Sequence, residues 1–167
     1  MSYVIADADV LIDLAEQTLT LPKKNKFYLI SSGKNGIGET EYSGKTPRGW
    51  HLVAVKHGAE QPQNAVFIAR KPTGEVYDTD LAKQFPERDW ILSRILWLSG
   101  LEEGFNRGEG CDTYQRYIYI HGTPDSEPMG MPMSHGCIRM RNTDVIELFE
   151  LIDCNALVYI SEHKLEI

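Results

Sequence analysis

The sequence predicts a mainly β fold: a β-sandwich of mixed and antiparallel sheets with two packed α-helices. Three observations lead there. Short apolar–polar alternations recur through the first third of the chain and return at its end. Gly, Pro and Asn punctuate them at short intervals. Only two stretches change to a helical period.

The first strands are Val10–Leu14, Thr18–Leu21 and Lys26–Ser31, joined by Ala15–Gln17 and a Pro22–Asn25 turn, which reads as an antiparallel meander. Ser32-Gly33-Lys34-Asn35-Gly36-Ile37-Gly38 lacks the residue order of a phosphate loop and is expected to be a plain connection. Thr46–Trp50 turns into a strand His51–Val55, with His51 and His57 read as surface or strand-end histidines. Asn64–Arg70 is a further strand, stopped by Pro72-Thr73-Gly74. From Pro86 to Gly100, Ile91, Leu92, Ile95, Leu96 and Leu98 recur at helical spacing, with Trp90, Arg94 and Trp97 on one side. That side is either a pocket wall offering Arg94 to an anion or a buried face with Arg94 ion-paired. A second helix follows Arg141, capped by Asn142 or Thr143 and striped by Val145, Leu148, Phe149 and Ile152. Leu157–Ile160 is the last strand. With no repeat or linker in view, residues 1–167 are expected to form a single domain.

The net charge of −7 argues against nucleic-acid or anionic-membrane partners, which need a basic surface. No apolar run reaches membrane-spanning length. The first residues carry no basic leader, so the expected compartment is the cytoplasm, or the periplasm if a leader has been removed. Cys111, Cys137 and Cys154 are an odd number at spacings that suggest no disulfide framework. A reducing compartment and one working thiol fit them.

That thiol is best sought between Arg116 and Arg141. In Tyr117–His121 the alternation puts Ile118 and Ile120 on one face and Tyr117, Tyr119 and His121 on the other. His121 ends the strand at Gly122, and Cys137 follows 16 residues later in Ser134-His135-Gly136-Cys137-Ile138-Arg139. An imidazole beside a thiol can take its proton and leave a strong nucleophile. The amides around Gly136 and Cys137 could face a developing oxyanion. Arg139 in an extended segment lies on the side of Cys137 and could grip a carboxylate. His121 and His135 both remain candidates for the base. The same His121, His135 and Cys137 could instead ligate zinc, and Met129, Met131, Met133 and Met140 could suggest copper.

His121-Gly122-Thr123 followed by Ser134-His135-Gly136-Cys137 resembles the catalytic motif of the L,D-transpeptidase (YkuD-type) family. The resemblance extends over residues 9–161 through the early strands, the Ser32–Gly36 loop and Thr46-Pro47-Arg48-Gly49. Lys71–Gly110 looks like an elaboration absent from the plainest members. The resemblance implies Cys137 as nucleophile, His121 as base, and amides of His135, Gly136 and Cys137 as the oxyanion hole. It gives Ser134, His135 and Gly122 supporting roles, with the Gly122 carbonyl or a neighbour orienting His121. It implies a peptidoglycan stem tetrapeptide or muropeptide as substrate, carbapenem-type inhibitors, and no cofactor. Arg139, Tyr119, Arg94 and Arg107 are the candidates for binding substrate. An acidic chain without a leader suits an L,D-carboxypeptidase that trims recycled muropeptides with water as acceptor. The alternative is a transpeptidase that passes the acyl group to an amine.

Overall fold

The computed structural model describes residues 2–166. A 3-10 turn at Ile5–Asp7 precedes β1 (Val10–Asp13), β2 (Thr18–Leu21), β3 (Lys26–Leu29), β4 (Gly49–His57), β5 (Ala65–Ile68) and β6 (Lys71–Val76). Then come α1 (Thr79–Gln84), β7 (Ile91–Gly100), β8 (Tyr119–Gly122), β9 (Ile138–Met140), α2 (Asn142–Leu151) and β10 (Leu157–Ser161). The fold is mainly β with two helices, as expected, and its pairing is mixed. All ten strands belong to one sheet, in which β1–β10 and β8–β9 are parallel and the other pairs antiparallel. Just beyond β3, Ser31 exchanges two backbone hydrogen bonds of 2.9 Å with Arg139 of β9. That bridge curls the sheet until its β3 end comes back to β9.

Side-chain alternation sorts residues onto the two faces. Inside the curl lie Val10, Ile12, Leu19, Tyr28, Val53, Leu96, Leu98, Ile118, Ile120, Ile138 and Val158. Helix α2 lays Val145, Leu148 and Phe149 on them. The other face of β7 and β8 carries a smaller cluster of Ala65, Phe67, Ile95, Trp97 and Tyr119, against which Cys137 packs.

Strand β7 overturns the expected helix over 86–100. Leu96 and Leu98 point into the larger core while Ile95 and Trp97 point into the smaller one. A strand buried on both faces shows no apolar–polar alternation. A register shift between Leu92 and Ile95, with Ser93 at φ 70°, breaks the period further. Trp90, Arg94 and Trp97 therefore do not share a wall. Strand β6 was not expected either, because Pro72 lies in it; β6 is an edge strand, where a proline needs no ladder partner. Ala69 and Arg70, both at positive φ, make the tight turn from β5 to β6. The short α1 takes its cap from Asp78, whose Oδ1 accepts from the Leu81 amide at 2.7 Å. The N-cap of α2 is Arg141, and its side chain makes no capping bond, so neither Asn142 nor Thr143 fills that role. Tyr117 lies in a turn at φ 58° rather than in the strand.

The last carbonyls of α2 are met from β4. Lys56 Nζ donates to the Phe149 carbonyl at 2.6 Å and the Ile152 carbonyl at 2.7 Å, and sits 4.1 Å from the Phe149 ring centroid. A cation satisfying orphan carbonyls at a helix C-terminus is favourable on both counts. Lys56→Met is expected to cost about 1–2 kcal/mol, read as a lower urea midpoint at unchanged m-value. An unchanged midpoint would refute this capping role. Among the described residues no helix is long and apolar enough to cross a membrane.

Candidate active site

Strands β8 and β9 run side by side in parallel, pairing Ile120 with Ile138, His121 with Arg139 and Gly122 with Met140. Extending that register puts Cys137 opposite Tyr119, and the Tyr119 amide donates to Cys137 Sγ at 3.3 Å. Paired residues of a parallel ladder point to the same side, so Tyr119, His121, Cys137 and Arg139 share one face. The Cα atoms of His121 and Cys137 are then roughly 8 Å apart, from strand spacing and rise.

His121 is 2% exposed, and its Nδ1 lies 2.6 Å from the Gly122 carbonyl. A carbonyl only accepts, so Nδ1 carries the proton and Nε2 is left bare as a base. Burial pushes the imidazole below its ordinary value, against the opposing pull of the Gly122 carbonyl and Asp89. The Cys137 thiol donates to the Tyr117 carbonyl at 3.3 Å. Burial pushes it up to about 12, against the Tyr119 amide. The resting pair is thus a neutral thiol and a neutral imidazole.

The turn before Cys137 is tightly held. Ser134 Oγ donates to the Cys137 carbonyl at 2.5 Å and accepts from the Gly136 amide at 3.1 Å. Thr46 Oγ1 donates to the Gly136 carbonyl at 2.9 Å. Gly136 sits at φ +123°, and an added Cβ would meet the Lys45 carbonyl at 3.2 Å, so only glycine fits. The Gly136 amide is therefore spent on Ser134. Of the three amides expected to face an oxyanion, those of His135 and Cys137 are left without a hydrogen-bond partner among the described residues.

Two cavities adjoin this turn, and His135 is in the walls of both. The larger, about 650 Å³, lies among Tyr42, Arg70, Trp97, Tyr114, Arg116 and Tyr117. Arg70 stands 4.9 Å from the Trp97 ring and 5.0 Å from the Tyr117 ring, and donates to Tyr119 Oη at 3.0 Å. The other, about 470 Å³, is walled by Glu87, Asp89, Trp90, Glu127 and Arg139.

The remaining candidates fare unevenly. Tyr119 is at the site, with its ring buried and its hydroxyl tied to Arg70. Arg139 is there too, but its guanidinium already meets Asp89 at 3.3 Å, Glu127 at 3.7 Å and the Met133 carbonyl at 3.2 Å. Arg94 is not: it is buried 5.3 Å from the Phe149 ring and donates to the Gln61 and Ser93 carbonyls. Arg107 pairs with Glu103 on its own loop at 3.2 Å and lines neither cavity. His51, expected at the surface, is fully buried, with Nδ1 3.0 Å from the Gly49 carbonyl and Nε2 2.9 Å from Thr113 Oγ1. The metal alternative finds no support: among the described residues no three His, Cys, Asp or Glu side chains converge on an ion, and Met140 is turned into the core. Asp89 and Arg70 were missed. Neither carries a local motif, and each reaches the site from the segment between β4 and β7.

The L,D-transpeptidase catalytic domain (YkuD) family model matches residues 7–160. YqjB of Bacillus subtilis (strain 168), whose name classes it with the L,D-transpeptidases, is 44% identical over 47 residues, which are 28% of this chain and 27% of that one. The structure superimposes on an L,D-transpeptidase from Mycobacterium smegmatis with a TM-score of 0.54 at 17% identity, over 92% of this chain and 59% of the other. It matches L,D-transpeptidase 3 from Mycobacterium tuberculosis, in complex with a faropenem-derived adduct, with a TM-score of 0.55 at 15% identity, again over 92% and 59%. At those identities the likeness is one of fold, and this chain spans little more than half of each solved protein.

Proposed function

This chain belongs to the L,D-transpeptidase catalytic-domain family, and on that premise we propose that it cleaves the L-to-D peptide bond before D-alanine in a peptidoglycan stem tetrapeptide. Cys137 carries the acyl group as a thioester, and water is the acceptor. The observation that supports this best is the pairing of β8 with β9. It sets an imidazole of fixed tautomer and a half-buried thiol on one face of neighbouring strands.

The steps follow from the groups present. His121 Nε2 takes the proton of Cys137 Sγ, which rests on the Tyr117 carbonyl. The thiolate adds to the peptide carbonyl carbon, and the amides of His135 and Cys137 receive the oxyanion. His121 returns the proton to the departing D-alanine nitrogen, and the C–N bond breaks. Water, deprotonated by the same Nε2, opens the thioester and restores the thiol. Arg70, which pairs with no carboxylate among the described residues, offers a cation to the substrate's carboxylate from the larger cavity.

Hydrolysis is preferred on charge. A net charge of −7 disfavours adsorption to a polyanionic wall, which supports small detached muropeptides as substrate and water as acceptor. A role in muropeptide recycling follows. The smaller cavity is of mixed charge, with Glu87, Asp89 and Glu127 beside Lys34, Arg88 and Arg139, and its carboxylates support a second reading, in which an amine enters there as acyl acceptor. Incubation with a tetrapeptide stem and an amine acceptor separates the two. The expected products are tripeptide and free D-alanine, and a dominant cross-linked dimer would replace hydrolysis by transfer.

A further inference from the structure

We propose that Asp89 is a positioning residue for this site: it clamps the turn that carries Cys137 and offsets the charge of Arg139 beside His121. Asp89 Oδ2 lies 3.2 Å from His135 Nδ1, and Oδ1 lies 3.3 Å from an Arg139 guanidinium nitrogen. His135 precedes Cys137 by two residues and Arg139 follows it by two. One carboxylate therefore grips the nucleophile's segment on both sides. It does so from the loop between α1 and β7.

The electrostatic case starts from Arg139. Its side chain is 9% exposed and it is the ladder partner of His121. A buried guanidinium there needs an anion, and it opposes any positive charge on the imidazole. Asp89 supplies that anion, helped by Glu127 at 3.7 Å. Burial alone would raise the Asp89 carboxyl, but His121, His135 and Arg139 together hold it below its ordinary value. Asp89 also faces the Cys137 thiol, where it opposes the thiolate, while Arg139 and Arg116 favour it. The benefit of Asp89 therefore falls after attack. Sulfur is then bonded to carbon, and His121 holds the proton destined for the leaving amine. A carboxylate near the imidazolium stabilises that state, and the clamp keeps the turn's amides aimed at the oxyanion.

The kinetic part of the test rests on the acyl-transfer reading; the other part does not. Asp89→Asn is expected to lower kcat on the tetrapeptide about tenfold or more with KM changed less than about twofold, and Asp89→Glu to recover part of that loss. The NMR titration midpoint of His121, assigned with His121→Gln, is expected to move to lower pH in Asp89→Asn by about half a pH unit or more. A higher KM at unchanged kcat would make Asp89 a substrate contact and overturn the proposal. So would a His121 midpoint equal to that of the wild type. If the wild-type protein leaves the tetrapeptide intact, the acyl-transfer reading fails, and the His121 midpoint still decides the role of Asp89.

Discussion

Cys137→Ala is expected to lower D-alanine release from a tetrapeptide stem by about 10³-fold or more, with the fold intact. Without sulfur no thioester forms, and what is left is the contribution of binding and the oxyanion amides. The side chain packs against the smaller cluster, so the shorter alanine leaves room rather than a clash. A second readout needs no peptide. A carbapenem is expected to add its mass to the wild-type chain and leave Cys137→Ala unmodified, even though Cys111 and Cys154 remain. The resting thiol, pushed up to about 12, makes a further point of contrast. A simple alkylating agent at neutral pH is expected to label the exposed Cys154 ahead of Cys137. D-alanine release that survives the Cys137 substitution would remove the thiol from the mechanism.

The largest effect on stability is expected with acid. His51 is fully buried, and burial pushes its imidazole down to about 4 from an ordinary value near 6.5. As pH falls through 6.5 the unfolded chain takes up a proton that the folded chain refuses until about pH 4. The unfolded state thus binds more protons in that window, and stability falls with pH. His51 alone is expected to cost about 3 kcal/mol between pH 7 and pH 4. The buried His121 acts in the same direction. Denaturant titrations at several pH values measure the slope, and His51→Gln should flatten it. A slope identical in the two proteins would refute this account of His51.

Some of the elements that the sequence disclosed, such as β1 and β8, are buried throughout but short and flanked by turn residues, and others have one wet face. Strands β2 and β4 alternate between buried and half-buried positions, and α2 carries a clean apolar stripe. Strand β7 was illegible because it is long, buried on both sides and broken at Ser93, so its apolar residues matched a helix by accident. His51 misled because position along a strand says nothing of what folds over it; the loop that brings Thr113 against it begins some 50 residues later. At the site, Cys137, His121 and the Gly122 carbonyl were legible because the motif is local and the carbonyl is adjacent. Asp89 was not. Its link to His135 spans a stretch of chain with no local pattern and exists only once β7 is laid beside β8.

Strand β10 lies between β1 and β4, so Val158 pairs with Val10 on one side and His51 on the other. During synthesis on the ribosome, the β1 edge of the first three strands has no partner strand until residues 157–161 have emerged. Until then the nascent chain carries two bare strand edges, one on each half, which is the condition under which growing chains stick to one another. Completion waits on contacts between the two ends of the chain, so slow folding is expected from the order of the strands. Stopping translation just short of Leu157 should leave β1 and β4 unjoined rather than a slightly shortened enzyme.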